Sequence, residues 1–255
     1  MTLTHEASGH AAPKTTLAVS ADDLVKIYGR GDTQVVALDH VSVQFPVGKF
    51  TAIMGPSGSG KSTLMHCLAG LDTVDSGRVV VGDTEITGMS DTQLTLLRRR
   101  RIGFVFQAFN LVPTLDAEQN ILLPAELART TVDRIWFEQV VEVLGLSARL
   151  KHRPSELSGG QQQRVAAARA LLMKPEVIFA DEPTGNLDSR SGAEVLSLLR
   201  RSSREMGQTI IMVTHDPAAA AYADRVVLLA DGRIAGDLEA PGQDDILTAL
   251  GRLGA

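Results

Sequence analysis

The chain has 255 residues, of which 44% are hydrophobic and 22% charged, and its formal net charge is −5. A chain of this length and composition can bury a sizeable core. The acidic balance and the aromatic content of only 4% argue against a nucleic-acid-binding protein. No apolar run approaches the roughly 18 residues that cross a bilayer, so a role at a membrane would need another polypeptide to span it.

The first 18 residues lack the basic-then-apolar pattern of a secretory signal and are interpreted as a flexible extension. Cys67 is the only cysteine, so no internal disulfide can form, which suits the cytosol. Because free cysteines are usually buried, Cys67 is predicted to pack as a small hydrophobic residue.

Short β-branched runs alternate with longer helical patterns through most of the sequence, which predicts an α/β fold with a mostly parallel sheet. The run 50–54 predicts a buried strand, and a helix should follow over 61–69. Strand-like runs at 41–45 and 77–87 predict a small antiparallel β-subdomain, with a turn at Gly82 and Asp83.

Ser90 opens a capping box that should start a helix reaching the four arginines at 98–101, before a strand at 102–106. The arginines are either a solvated helix end or a contact with anionic lipid or an acidic partner surface. Leu and Val at helical spacing predict an inserted helical subdomain over about 108–170, with Pro124 as a break. Further elements are predicted as strands at 177–180, 209–213 and 225–230, a helix at 189–206, and a short terminal helix at 241–255.

Residues 55–62 fit the pattern G-x-x-x-x-G-K-[ST] directly after the strand 50–54. Its glycines let backbone N–H groups close around phosphate oxygens, at the positive end of the following helix. Lys61 should reach the outer phosphates, and the Ser62 hydroxyl should ligate Mg²⁺. The predicted nucleotide-binding residues here are Gly55, Pro56, Ser57, Gly58, Ser59, Gly60, Lys61, Ser62 and the following Thr63.

An apolar strand ends in two carboxylates, Asp181 and Glu182. Neighbouring side chains of a strand point to opposite faces, so the two groups can take different roles. Asp181 suits a Mg²⁺ ligand, directly or through water, and Glu182 suits polarising the water that attacks the γ-phosphate.

A second glycine-rich turn also opens onto a helical stretch, and its residues are Ser158, Gly159, Gly160 and Gln161. The motif at 55–62, a phosphate-binding P-loop, would already hold the phosphates of one nucleotide. A second anion-binding turn therefore suggests another nucleotide, held by a partner subunit.

These motifs and their order closely resemble the ATP-binding cassette (ABC) family from about residue 24 to residue 236. Longer strings, among them M-G-P-S-G-S-G-K-S-T-L-M at 54–65 and A-D-E-P-T-G-N-L-D at 180–188, resemble the branch of macrolide-export and lipoprotein-release ATPases. The resemblance implies a P-loop ATPase domain over about 19–240 with ATP and Mg²⁺ as cofactors. It also implies a cytoplasmic subunit, peripheral on the inner face of the cell membrane.

The resemblance assigns roles to further polar residues. Gln107 would sense the metal and link the nucleotide to a partner, His215 would contact the γ-phosphate, and Asp188 would lie in a loop that crosses the subunit boundary. Tyr28 would place its ring against adenine. A loop residue beside a helix cap is the alternative for His215, and a core-packing ring is the alternative for Tyr28. The catalytic candidates are thus Lys61, Gln107, Glu182 and His215.

The resemblance also implies a mechanism in which two copies close head-to-tail over two ATP molecules and drive an integral membrane permease. Residues 107–123 would dock the permease, with Phe109 and Leu111 either as exposed contacts or as core. One alternative is an ABC-type ATPase of DNA repair or translation, which the missing coiled-coil insertion disfavours. Another is an ATP-driven switch on a cell-envelope or division complex that moves no solute.

Overall fold

The computed structural model of the chain describes residues 16–253, except for the side chain of residue 32. The predicted extension over 1–18 lies mostly outside these residues, and its last two positions are wrong because Leu17 and Ala18 already belong to a strand. In chain order the elements are β1 (Leu17–Tyr28), β2 (Val35–Pro46), β3 (Phe50–Met54), α1 (Lys61–Leu68), β4 (Ser76–Val81), β5 (Thr84–Glu85), α2 (Asp91–Arg101), β6 (Ile102–Phe106), α3 (Ala117–Ala128), α4 (Arg134–Val143), α5 (Gly159–Leu171), β7 (Val177–Asp181), α6 (Ser189–Met206), β8 (Ile210–Val213), α7 (Pro217–Ala220), β9 (Arg225–Ala230), β10 (Arg233–Glu239) and α8 (Gln243–Leu253).

The larger sheet has the strand order β10-β9-β3-β8-β7-β6. All neighbouring pairs are parallel except β9 and β10, which confirms the predicted α/β fold with a mostly parallel sheet. Parallel strands end at one edge of a sheet, and ligands of open α/β sheets bind beyond that edge. The segments that follow β3, β6, β7 and β8 therefore meet there.

The smaller sheet is antiparallel, in the order β2-β1-β4-β5, and corresponds to the predicted β-subdomain. Its β4–β5 hairpin turns at Gly82 and Asp83, as predicted. Gly82 has φ +60°, a left-handed conformation that glycine adopts without strain.

Two hydrophobic clusters cover the two faces of the larger sheet. Ile53 faces the cluster shared with the smaller sheet and α1, whereas its neighbours Ala52 and Met54 face the cluster shared with α3, α4, α5 and α6. A sheet buried on both faces needs apolar residues at successive positions, which explains the continuous apolar runs of its strands. Cys67 packs in the first cluster, as predicted, and burial raises the pKa of its thiol to about 12.

The break predicted at Pro124 is wrong, because this residue lies inside α3. Ile121 and Ala125 on either side are fully buried. The buried Asn120 side chain also ties the start of the helix to the carbonyls of Val112 and Leu115. This packing outweighs the roughly 3 kcal/mol that an interior proline costs a helix.

The strand β10 was not predicted from the sequence. It pairs with β9 through a two-residue turn at Asp231 and Gly232, both with positive φ. An Asp-Gly pair between two strands is a strong hairpin signal, so the information was present in the sequence. The terminal helix is observed as α8 (Gln243–Leu253), within the predicted range 241–255.

Candidate active site

The loop 55–60 joins β3 to α1 and is built on glycines. Gly55, Gly58 and Gly60 have φ values of +153°, +78° and +98°. A Cβ at Gly55 would overlap the carbonyl oxygen of Leu229, and one at Gly60 would overlap that of Ala37. At Gly58, by contrast, no described atom lies within 4 Å of such a Cβ. The loop is therefore pressed against β9 and β2 on one side and open on the other.

Lys61 folds over this loop. Its Nζ donates hydrogen bonds to the carbonyl oxygens of Gly55 at 2.9 Å and Pro56 at 2.7 Å. Burial lowers the pKa of Lys61, against the opposing charge of Glu182. Within residues 16–253 the buried hydroxyl of Ser59 has no hydrogen-bond partner. The loop thus holds a cation on its open side, which suits an anionic ligand.

The acidic pair follows the neighbouring strand β7. Asp181 is its last residue, and Glu182 has a left-handed φ of +44°. The prediction that Asp181 and Glu182 point to opposite faces as two strand residues is therefore wrong. Glu182 lies outside the strand, and the backbone turn sets the direction of its side chain. Burial first, and then the charge of Glu182, raise the pKa of Asp181, while His66 opposes the shift. A negative charge at Asp181 is thus poorly compensated, which suits a cation ligand.

Glu182 and His215 are in direct contact, across the ends of β7 and β8. The carboxylate Oε1 accepts a hydrogen bond from the backbone N–H of His215 at 3.0 Å and lies 2.8 Å from its ring Nδ1. The Thr214 hydroxyl donates to Oε2 at 3.2 Å. The His215 side chain is 76% exposed, so the histidine reaches the open edge of the sheet.

Gln107 follows β6 and contacts the loop between β7 and α6. Its Nε2 donates to Asn186 Oδ1 at 3.1 Å, and Asn186 Nδ2 donates back to the Gln107 carbonyl at 3.0 Å. A Cβ at Gly185 would lie 2.7 Å from Gln107 Nε2, so glycine is what allows this approach. The sequence predicted Gln107 but not its partner Asn186.

Gln163 is a second polar residue that sequence reasoning missed. It is fully buried, and its Nε2 donates to the carbonyl oxygens of Phe106 at 3.1 Å and Pro183 at 2.6 Å. One amide thus fixes the chain just before Gln107 to the chain just after Glu182. Its spacing from the buried Gly160 and Ala167 on the same face of α5 was the available signal.

The second glycine turn forms the start of α5. The Ser158 hydroxyl accepts from the Gln161 backbone N–H at 3.3 Å, and Gln161 Oε1 accepts from the Ser158 N–H at 2.9 Å. A Cβ at Gly159 would be 3.1 Å from Leu187, and one at Gly160 would be 3.1 Å from Ser191. The turn therefore rests on the residues around the start of α6, while Ser158 itself is exposed.

Asp188 caps the helix α6 that supports this turn. Its Oδ1 accepts from the backbone N–H groups of Ser191 at 3.0 Å and Arg190 at 3.1 Å. These bonds, that of Ser191 first, lower the pKa of Asp188. The carboxylate therefore stays charged at a helix N-terminus, where the dipole favours it.

Tyr28 ends β1, and the residue is 40% exposed. The alternative of a core-packing tyrosine is therefore wrong. Its hydroxyl donates a 2.6 Å hydrogen bond to Asp72, in the segment that follows α1.

The helices within residues 16–253 are too short or too polar for any of them to cross a membrane. Residues 38–185 match the family model described as ABC transporter. An uncharacterized ABC transporter ATP-binding protein of Methanocaldococcus jannaschii is 46% identical over 218 residues, which are 85% of this chain and 97% of that protein. The macrolide export ATP-binding/permease protein MacB of Burkholderia thailandensis is 47% identical over 226 residues, which are 88% of this chain but only 34% of MacB.

Solved structures agree with these matches. The dimeric, post-hydrolysis structure of the ATP-binding cassette MJ0796, bound to ADP and Pi, aligns with a TM-score of 0.77 and 38% identity, over 88% of this chain and 99% of that chain. The structure of cbiO1 from Clostridium perfringens, part of the transporter complex cbiONQ, aligns with a TM-score of 0.79 and 28% identity, over 91% of each chain. The chain therefore belongs to the ABC transporter family, as an ATP-binding cassette that hydrolyses ATP.

Proposed function

We propose that two copies of this cassette close head-to-tail over two ATP molecules, each held between the P-loop of one copy and the turn 158–161 of the other. The observation that carries the proposal is the exposed start of α5. The side-chain hydrogen bonds of Ser158 and Gln161 stay within the turn itself, so its outer side is available to a second chain. The likeness to a dimeric cassette supports the same arrangement.

The residues of the P-loop fit a nucleotide triphosphate. The open space beside Gly58 and the N-terminus of α1 favour phosphate oxygens. Residues 55–63 would hold the phosphates, with Lys61 exchanging carbonyl partners for phosphate oxygens. The exposed ring of Tyr28 would stack on the base.

The donor set at the sheet edge fits Mg²⁺. Ser62, Gln107 and Asp181 supply hydroxyl, amide and carboxylate oxygens, which are hard ligands suited to this ion. When bound, Mg²⁺ neutralises charge that develops on the phosphates. The poorly compensated charge of Asp181 supports its role in this set.

Glu182 would accept the proton of the attacking water. His215 and Thr214 fix its carboxylate in one orientation, which is what a general base requires. The exposed ring of His215 would contact the γ-phosphate. The two hydrogen bonds between Gln107 and Asn186 would transmit a change at the metal and nucleotide to the loop that contains Asn186 and Asp188.

A separate membrane permease would dock in an open groove of about 440 Å³ between α2, β6, α3 and α5. Its walls are apolar at Phe104, Leu123 and Leu127, with Arg99 and Arg169 beside them. Such a groove fits a short helix that carries apolar residues and a carboxylate. The predicted segment 107–123 supplies only part of this surface, since Leu111 packs against the core.

We infer that the cassette works at the cytoplasmic face of a membrane and energises export or extraction of a substrate. The similar protein MacB is named for macrolide export. A dilution series tests the dimer. The ATPase rate per chain should fall as light scattering shows the dimer dissociating. A rate per chain that stays constant under strictly monomeric conditions would overturn the two-chain site.

A further inference from the structure

Tyr28 is held from two sides by groups outside the P-loop. Its hydroxyl donates to Asp72 Oδ2 at 2.6 Å, and the Lys26 ammonium lies over the ring, 5.1 Å from its centroid. Lys26 also donates to Asp72 Oδ1 at 2.8 Å. The carboxylate therefore joins the edge of the ring to the cation on its face.

The pair behind the ring is rigid and charged. Lys26 is only 7% exposed and donates a second hydrogen bond to the Thr73 carbonyl at 2.6 Å. Burial alone would lower the pKa of Lys26, but the hydrogen bond and the charge of Asp72 outweigh it and raise that pKa. Burial likewise opposes ionisation of Asp72, and the hydrogen bonds from Lys26 and Tyr28 outweigh it, so the pKa of Asp72 is lowered.

We propose that Asp72 is a positioning residue for the base of ATP, an inference that rests on the proposed role of Tyr28. Asp72 fixes the tilt of the Tyr28 ring, and Lys26 covers one face, so the opposite face is presented to adenine. Because Asp72 follows α1, the base platform is tied to the helix whose other end would bind phosphate.

This assignment differs from a purely structural role in what it predicts for the ligand. An ion pair that only joins β1 to the α1 segment would change stability, or would weaken every ligand equally. A platform for the base affects ATP and leaves a ligand without a base unchanged. Inorganic triphosphate with Mg²⁺ is therefore the matched probe.

The experiment measures binding of ATP and of inorganic triphosphate by calorimetry. Tyr28→Phe removes only the hydroxyl and leaves the Lys26–Asp72 pair in place. Asp72→Asn removes the negative charge that accepts the hydrogen bond of the Tyr28 hydroxyl. Each should weaken ATP binding about three- to tenfold, with triphosphate unchanged within about twofold, because the freed ring must then be ordered when the base binds. The double variant should bind ATP no more weakly than the weaker single variant, because both remove the same contact.

Tyr28→Ala separates this inference from the role of Tyr28 itself. Unchanged ATP affinity in that variant would overturn the stacking role, and the inference with it. If Tyr28→Ala weakens ATP binding but Tyr28→Phe does not, the platform stands and the positioning role of Asp72 is overturned. Equal losses for ATP and triphosphate would also overturn it. Should Asp72→Asn fail to fold because Lys26 is left unpaired, Tyr28→Phe still decides the question.

Discussion

Glu182 and His215 form a single hydrogen-bonded unit across two neighbouring strands. One carboxylate oxygen accepts from the His215 backbone at 3.0 Å and lies 2.8 Å from its ring nitrogen. Both residues lie just beyond the ends of the parallel neighbours β7 and β8, and the Glu182 N–H donates to the Val213 carbonyl at 2.9 Å, which holds the two segments together. The proposed base and the proposed γ-phosphate contact therefore keep a fixed relation to each other.

Glu182→Gln should lower the ATPase rate about 10²- to 10⁴-fold, since the amide cannot take the proton of water. ATP binding should persist, because the amide oxygen can still accept from His215, and a dimer should accumulate with ATP. Phosphate release and size-exclusion chromatography measure both effects. The exposed Glu138→Gln on α4 is the matched control, and an unchanged rate in Glu182→Gln would remove the base assignment.

Mixing two inactive variants tests the shared site. Ser158→Arg blocks the turn and Lys61→Ala disables the P-loop, so each pure protein should be inactive. An equal mixture should recover about a quarter of the normal rate, because half of the dimers are mixed and each contains one intact site. An intact activity in pure Ser158→Arg, or no recovery on mixing, would contradict a site made by two chains.

Gln163→Leu should lower the free energy of unfolding by about 1–3 kcal/mol, because the buried Pro183 carbonyl loses its donor, whereas the Phe106 carbonyl keeps the bond from the Phe109 N–H at 3.3 Å. Urea unfolding measures the change. Gln162→Leu is the control, since this half-buried neighbour donates a single bond to the Leu157 carbonyl. Equal losses in the two variants would show that the buried amide is not a special link between β6 and β7.

Gly185→Ala should lower the ATPase rate about tenfold or more while changing the free energy of unfolding by less than about 1 kcal/mol. The added methyl group would displace the flexible end of Gln107 and break its bond to Asn186. Gly192→Ala is the control, because its Cβ would make only ordinary contacts, 3.5 Å from Thr184. Normal turnover in Gly185→Ala would show that ATP hydrolysis does not depend on the position of the Gln107 side chain.

Asp181→Asn should stabilise the protein at pH 7 although it impairs catalysis. Burial raises the folded-state pKa of Asp181, so above that pKa the ionised group costs stability that the amide does not. Below the unfolded-state pKa both states are protonated and the cost is absent. The advantage of the variant should therefore shrink as pH falls from 7 toward about 4. Urea unfolding at several pH values without nucleotide checks this, and a constant difference would contradict it.

The sequence was sufficient for most strands and helices and for the order of the motifs, because these depend on local patterns. A buried strand shows an apolar run and a capped helix shows its cap, as at Ser90, whose side chain accepts from the Gln93 N–H. The residues that contact phosphate in a P-loop are also neighbours in the chain. Their positions on the structure agree with the sequence motif, while their roles stay predictions.

The features that were missed depend on contacts between distant segments. Gln163 touches carbonyls 57 and 20 residues away, and Asn186 pairs with a glutamine 79 residues away. Asp72 meets Tyr28 across 44 residues. A single polar residue in the sequence does not indicate which distant residue its side chain will contact. The helix break predicted at Pro124 was wrong for a related reason, since tertiary packing outweighed the low helix propensity of proline.

The bonds between Lys61 and the carbonyls of Gly55 and Pro56 have an energetic consequence. These hydrogen bonds and the glycine conformations fix the curved shape of the loop by contacts within the chain, so its conformational entropy is lost during folding. In the proposed nucleotide complex, the Lys61 ammonium would exchange these two neutral acceptors for negatively charged phosphate oxygens. Because the backbone is preorganised, binding loses little conformational entropy there, and the electrostatic attraction contributes more fully to affinity.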